Sequence, residues 1–152
     1  MRSRASLAIA VLLAAASLPA CASGIDNKLP DMESILALES RASQAQPREQ
    51  CFLYAELVHQ MTELSVRQYA AGNTGKATDL LKRVQQIAQK IHLSLAQNDK
   101  RIKNAEILLS HSAFRLTEML HASSFEDRPL VQDTLADVRL AQRETMFQVF
   151  KK

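Results

Sequence analysis

The chain has 152 residues, with 19 Lys and Arg against 16 Asp and Glu and a formal net charge of +3, which suits one domain of ordinary size. Three Gly, four Pro and no Trp, set among abundant Ala, Leu, Gln, Glu, Lys and Arg, describe a sequence rich in helix formers and poor in turn-makers. Two Cys are too few for a disulfide-stapled fold.

The first segment, MRSRASLAIAVLLAAASLPACASG, places Arg2 and Arg4 ahead of an apolar run from Ala5 to Leu18 and then small residues. This is the pattern of a secretory signal peptide over residues 1–22, too short and wrongly flanked for a membrane span. Two exits are open. Ala20-Cys21-Ala22 fits the small-x-small rule for cleavage before Ser23, which releases a soluble exported protein. Leu18-Pro19-Ala20-Cys21 resembles a bacterial lipoprotein lipobox, in which Cys21 becomes the lipidated first residue and ties the protein to a membrane, although Pro19 departs from the small residue usual there. Taking Arg2 and Arg4 from the 19 basic residues leaves 17 against 16 acidic, a net of +1. The basic character belongs to the leader, so a nucleic-acid partner loses its main electrostatic argument.

A linker over 23–29 precedes a single helical domain over 30–152. Pro30 opens a short helix at about 30–44, with Met32, Ile35, Leu38 and Ala42 at helical spacing. Pro47 suits the first residue of a second helix at about 47–71, which Gly72-Asn73-Thr74-Gly75 stops and restarts. Cys51 falls one turn into this helix, as a small apolar residue at the edge of the core. The third helix, about 74–97, carries the cleanest stripe, Leu80, Val84, Ile87, Ile91 and Leu95, widened by Leu81 and Ala88. A fourth at about 100–122 carries Ile102, Ala105, Leu109, Ala113, Leu116 and Leu120. The fifth, about 127–150 and opened by Pro129, carries Val131, Leu135, Val138, Ala141, Thr145 and Val149.

The third-to-fourth junction has two readings. Asn98-Asp99 ends one helix and caps the next, giving an antiparallel four-helix bundle with the first helix packed outside. Alternatively, residues 74–122, which hold no Pro and no Gly after Gly75, form one rod of roughly 70 Å at 1.5 Å per residue. The segment from Met61 to Leu81 also resembles a tetratricopeptide repeat in part. Leu64, Ser65, Gly72, Ala77 and Leu81 match, while Met61 stands for Trp and Gln68 for Tyr. One period later the frame reads Asn98, Asp99, Ile102, His111 and Arg115, so no repeat array is expected.

Two Glu-x-x-His motifs, Glu56 to His59 and Glu118 to His121, invite comparison with ferritin-like bundles, where such pairs hold two metal ions. Helical phase opposes it: at about 100° per residue all four side chains fall roughly 150° from the centre of their apolar stripes, towards water. The inventory is also short. Ferritin-like sites need a Glu from each remaining helix; Glu33 or Glu39 could serve on the first, but the third has only Asp79, pointing away from its stripe. A metal- or cofactor-binding bundle using Glu56, His59, Glu118, His121 or His92 therefore stands as the alternative reading, with no metal or cofactor favoured. His92, on the flank of the third stripe, is expected to be partly buried and hydrogen-bonded. Ser110-His111-Ser112 sets hydroxyls beside an imidazole, but adjacent helical residues point about 100° apart. No phosphate loop, haem-attachment, zinc or nucleophile-elbow motif is present, and no enzyme is expected.

Some apolar residues leave the main stripes: Ile107 and Phe114 on the fourth helix, Leu140 and Phe147 on the fifth, Phe52 on the outer side of the second. The seven-residue spacing aligns each pair along one face, as a seam for a second subunit or another helical protein, or as a surface that the first helix covers within the monomer. The expectation is thus an exported, periplasmic or lipid-anchored, non-enzymatic interaction module of the cell envelope, working with a protein partner or as a homodimer. Mass spectrometry on protein expressed with its own leader and recovered from a bacterial envelope should give a chain starting at Ser23, or at Cys21 with added lipid; an intact leader in either fraction would contradict both exits.

Overall fold

The computed structural model describes residues 29–95 and 100–151, and the leader, its cleavage positions, Cys21 and nearly all of the linker lie outside the described residues. Five helices follow one another: α1 (Met32–Gln44), α2 (Pro47–Ala70), α3 (Thr74–Ser94), α4 (Ile102–Ala122) and α5 (Arg128–Phe150). No strand occurs among the described residues, and no helix among them is long and apolar enough to cross a membrane.

Local chemistry accounts for the boundaries. Asp31 accepts a hydrogen bond from the Ser34 amide at 2.8 Å while Ser34 Oγ accepts one from the Asp31 amide at 3.1 Å. This reciprocal cap satisfies two amides that the first turn of α1 leaves open. Pro47 occupies the first turn of α2, where its missing N–H costs nothing. Gly72, at φ +82°, ends α2. The Asn73 amide donates to Gln68 O and the Gly72 amide to Tyr69 O, the paired bonds of a Schellman motif that requires a left-handed residue at that place.

α3 stops at Ser94 and α4 starts at Ile102, so the single-rod reading of 74–122 is overturned. The junction closes on α2: the Lys100 amide donates to Arg48 O at 2.9 Å, and Arg101 enters α4 at φ 60°. A left-handed arginine costs about 1–2 kcal/mol. Its guanidinium lies 3.6 Å from the centre of the Phe52 ring, a cation–π contact that helps to offset that cost.

α2 packs against α1, α3 and α4, and α5 packs against α3 and α4. α3 and α4, consecutive in sequence, do not pack on each other. Glu63 meets Arg115 on one side and His92 meets Glu144 on the other, each pair separated by 52 residues in sequence. Together with Lys100 beside Arg48 and Arg101 over Phe52, these contacts set α2 and α4 running the same way, as α3 and α5 do. Chain neighbours pack antiparallel in α1–α2, α2–α3 and α4–α5, while α3 and α4 also run opposite ways but do not touch. A four-helix bundle flanked by a short leading helix is compatible with these contacts.

The core is built from the expected stripes. Ile35, Leu57, Val58, Met61, Leu81, Val84, Ile91, Leu109, Leu116, Val131 and Val138 are fully buried. Small residues, among them Ala55, Ala77, Ala105, Ser65 and Ser112, sit at the helix contacts and let backbones approach. The buried hydroxyls mostly bond to backbone carbonyls: Ser65 Oγ donates across to Ala77 O at 3.0 Å, Ser112 to Leu108 O and Thr145 to Ala141 O, which removes most of their desolvation cost. Leu116→Ala, at a fully buried position, should lower the unfolding free energy by about 2–5 kcal/mol. Leu140→Ala, 45% exposed, should stay within about 0.5 kcal/mol of the parent. Urea denaturation compares the two, and equal losses would contradict the assignment of these helix faces.

Candidate functional site

A long concave surface lies along α2, on the side facing α4 and the end of α1. A cleft of about 580 Å³ is lined by Arg41, Glu49, Phe52, Glu56, Lys100 and Arg101, among others. It shares Phe52, Glu56 and Arg101 with a cleft of about 360 Å³ that reaches His59 and Ile107. His59 in turn opens onto a third, of about 530 Å³, bordered by Glu63, Ser110, His111, Phe114 and Arg115. From Glu49 to Glu63 this groove spans roughly 20 Å at 1.5 Å per residue.

Its charges are balanced and mutually engaged. Arg41 of α1 meets Glu56 at 3.2 Å, Lys100 meets Glu49 at 3.5 Å, and Arg115 meets Glu63 at 3.0 Å and also Glu118 one turn on in its own helix. Such a groove offers neither an anion trap nor a cation trap; it offers pairing partners beside exposed apolar side chains. Between the ion pairs, His59 of α2 and His111 of α4 meet edge to face, with ring centroids 6.3 Å apart and planes at 63°.

Helical phase put Glu56 and His59 in water, and here the structure differs. Both are half-buried, because α2 is flanked on three sides and the side opposite its main stripe is also a packing face. Phe52, expected on the outer side of α2 and open to a partner, is also buried, 9% exposed, beneath Arg101. Glu118 and His121 are exposed as expected. The offset of 52 residues that pairs Glu63 with Arg115 brings His59 level with His111. It leaves His121 ten positions further along α4, roughly 15 Å away at 1.5 Å per residue. The two Glu-x-x-His motifs do not converge, and among the described residues no three of His, Cys, Asp and Glu form a group that could hold a metal ion.

The remaining singled-out residues have plain placements. Glu39 engages Arg83 of α3, and Asp79 is exposed. His92, expected to be partly buried, is exposed, but it is hydrogen-bonded: its Nδ1 meets both oxygens of Glu144 at 2.8 and 2.9 Å. Cys51 is buried. Ser112 turns inward to Leu108 O, while Ser110 borders the groove without a side-chain hydrogen bond to either imidazole among the described residues.

Ile107, Phe114, Leu140 and Phe147 are all exposed, at 45, 64, 45 and 66%. α1 does not cover them; it packs on α2 instead, with Ile35, Leu38 and Ala42 buried. Nor do they form one seam. Ile107 and Phe114 border the α2–α4 groove, whereas Leu140 borders a separate cleft of about 290 Å³ between α3 and α5, with Leu93, His92, Asp137 and Glu144. In that cleft, burial and the neighbouring Asp133 raise the Asp137 carboxyl above its ordinary value. Phe125 and Phe150, missed as surface residues in the sequence, are also exposed.

Comparison with protein families, with curated proteins and with solved structures finds no match for this chain. The separation of the two motifs leads to a direct expectation: protein purified without a His tag should carry well under one equivalent of transition metal by elemental analysis. A stoichiometric metal lost on replacing either Glu118 or His121 would contradict the placement of α4 against α2.

Proposed function

We propose that this chain is an exported, non-enzymatic docking module of the bacterial cell envelope, a four-helix bundle with α1 as its flank, whose α2–α4 groove receives a helix of a partner protein or of a second copy. The observation that carries the reading is Phe114, 64% exposed on the rim of that groove. A phenyl ring held in water at the edge of a concave surface is a common anchor for a protein partner.

Other features agree. The groove runs about four helical turns, the length over which a docked helix offers anchors at i, i+3, i+4 and i+7. Ile107, two turns before Phe114 on the same face, supplies a second apolar contact. The ion pairs along the groove leave few uncompensated charges for a partner to desolvate. The Arg-led apolar segment at residues 1–22 is the basis for export, and lipidation of Cys21 would hold the same domain at a membrane.

Substitution by Glu separates the two apolar surfaces. Phe114→Glu and Phe147→Glu change exposed positions, so each variant should unfold within about 0.5 kcal/mol of the parent. Sedimentation velocity of the parent should show self-association, or co-sedimentation with an envelope protein, that Phe114→Glu abolishes and Phe147→Glu leaves intact. Loss through Phe147→Glu alone would move the docking surface to the α3–α5 side, and collapse of the fold in Phe114→Glu would make that ring part of the core.

A further inference from the structure

The meeting of His59 and His111 is built in a way that a pair of surface histidines is not. Nδ1 of His59 is shielded from water and meets no hydrogen-bond partner among the described residues. A neutral imidazole tolerates this, because one ring nitrogen can remain a bare acceptor; a protonated one cannot, because both nitrogens then carry hydrogen. Protonation therefore puts an N–H donor in a dry position with nothing to receive it.

The surrounding charges do not repair this. From α2 itself, Glu63 and Glu56 are the nearby carboxylates, but Arg115 holds the first at 3.0 Å and Arg41 of α1 holds the second at 3.2 Å. From α4, His111 presents a second imidazole edge to face and Arg115 a fixed positive charge. α3 packs elsewhere on α2 and directs Arg83 to Glu39 and Lys90 to the face of Tyr54. A proton arriving on His59 thus meets two carboxylates that Arg115 and Arg41 already share, and the His111 ring 6.3 Å away.

We propose that the His59–His111 contact is an acid-sensitive latch on the α2–α4 seam, closed while the His59 ring is neutral and loosened when it takes a proton. The element that gives way is the contact of α4 with α2, and the surface released is the one bordered by Ile107, Phe114 and Arg115. The response belongs to the chain alone and does not depend on any partner.

The direction of the pH effect follows from the ring's environment. Burial holds the His59 imidazole below its ordinary value; Glu63 and Glu56 pull it up, while His111 and Arg115 push it further down. The unfolded or opened chain therefore binds a proton more readily than the closed one. The seam is fully stable above the ordinary histidine value of about 6.5, and it weakens as pH falls through that value towards the lower one of the closed state. Between those two values the opening equilibrium grows by at most about tenfold for each pH unit, the limit for one proton.

The test is an NMR titration of the histidine rings in the full chain from roughly pH 8 to 5, with amide exchange in α4 measured over the same range and corrected for intrinsic rates. His59 should titrate below the usual histidine midpoint, and residues 105–116 should exchange faster as it does. His111→Asn, at an exposed position, should move the His59 midpoint upwards by removing the competing charge. His59→Gln, which has no titrating group, should flatten the acid response of α4. A His59 midpoint at or above the ordinary value, a midpoint indifferent to His111→Asn, or α4 exchange that stays level across the titration would overturn the latch; since His111→Asn changes only a surface ring, the test stands even if His59→Gln does not fold.

Discussion

Everything in this fold leans on α2. Among the described helices it is the one in contact with three others, and only a helix with almost no idle face can serve that way. Cys51, Ala55, Leu57, Val58 and Met61 are completely buried along its middle, and its carboxylates reach neighbours: Glu49 to Lys100, Glu56 to Arg41, Glu63 to Arg115. Remove α2 and α1 has no support, α3 loses its hairpin partner, and α4 is left only α5. Buried side chains on α2 thus act at several interfaces at once, while its polar ones fix the order in which those interfaces meet.

That hub also explains why the groove exists. α3 and α4 are joined in sequence yet separated in space, so the chain must return to the start of α2 before α4 can begin. The return sets α4 beside α2 with the same direction and a constant offset. Residues that are neighbours on one helix then line up opposite neighbours on the other: His59 and Glu63 against His111 and Arg115. Two short patterns, each with four-residue spacing and each unremarked alone, become a ring pair and an ion pair once the offset is known.

Much of the fold could be read from residues. Pro47 and Gly72 mark the ends of α2, and the stripe from Leu80 to Ile91 is α3; their physics is local and survives any tertiary arrangement. A break between α3 and α4 was readable too, although without a Gly or Pro it competed with a continuous rod, and the Asn98-Asp99 pair expected to cap it lies outside the described residues. The candidate site was less legible. Phase analysis assumes a helix with one buried face, and for α4 that assumption places Glu118 and His121 correctly in water. For α2 it misplaces Phe52, Glu56 and His59, because the neighbour covering them is α4, set there by contacts such as Lys100 to Arg48 and Arg101 over Phe52 and not by the pattern of α2 itself. The signal that could have found the site was the charge complement, His-x-x-x-Glu on one helix and His-x-x-x-Arg on another.

Arg101 carries a last implication. Its backbone lies in a region where glycine would sit without cost, yet the side chain there lies over Phe52 at the mouth of the groove. Local preference and tertiary contact pull against each other at this residue. In the language of energy landscapes it is a point of frustration, in a chain whose helix caps and apolar stripes otherwise agree with its fold. Disagreement of this kind gathers where a protein has something to do besides fold, and here it falls on the segment that brings α4 alongside α2.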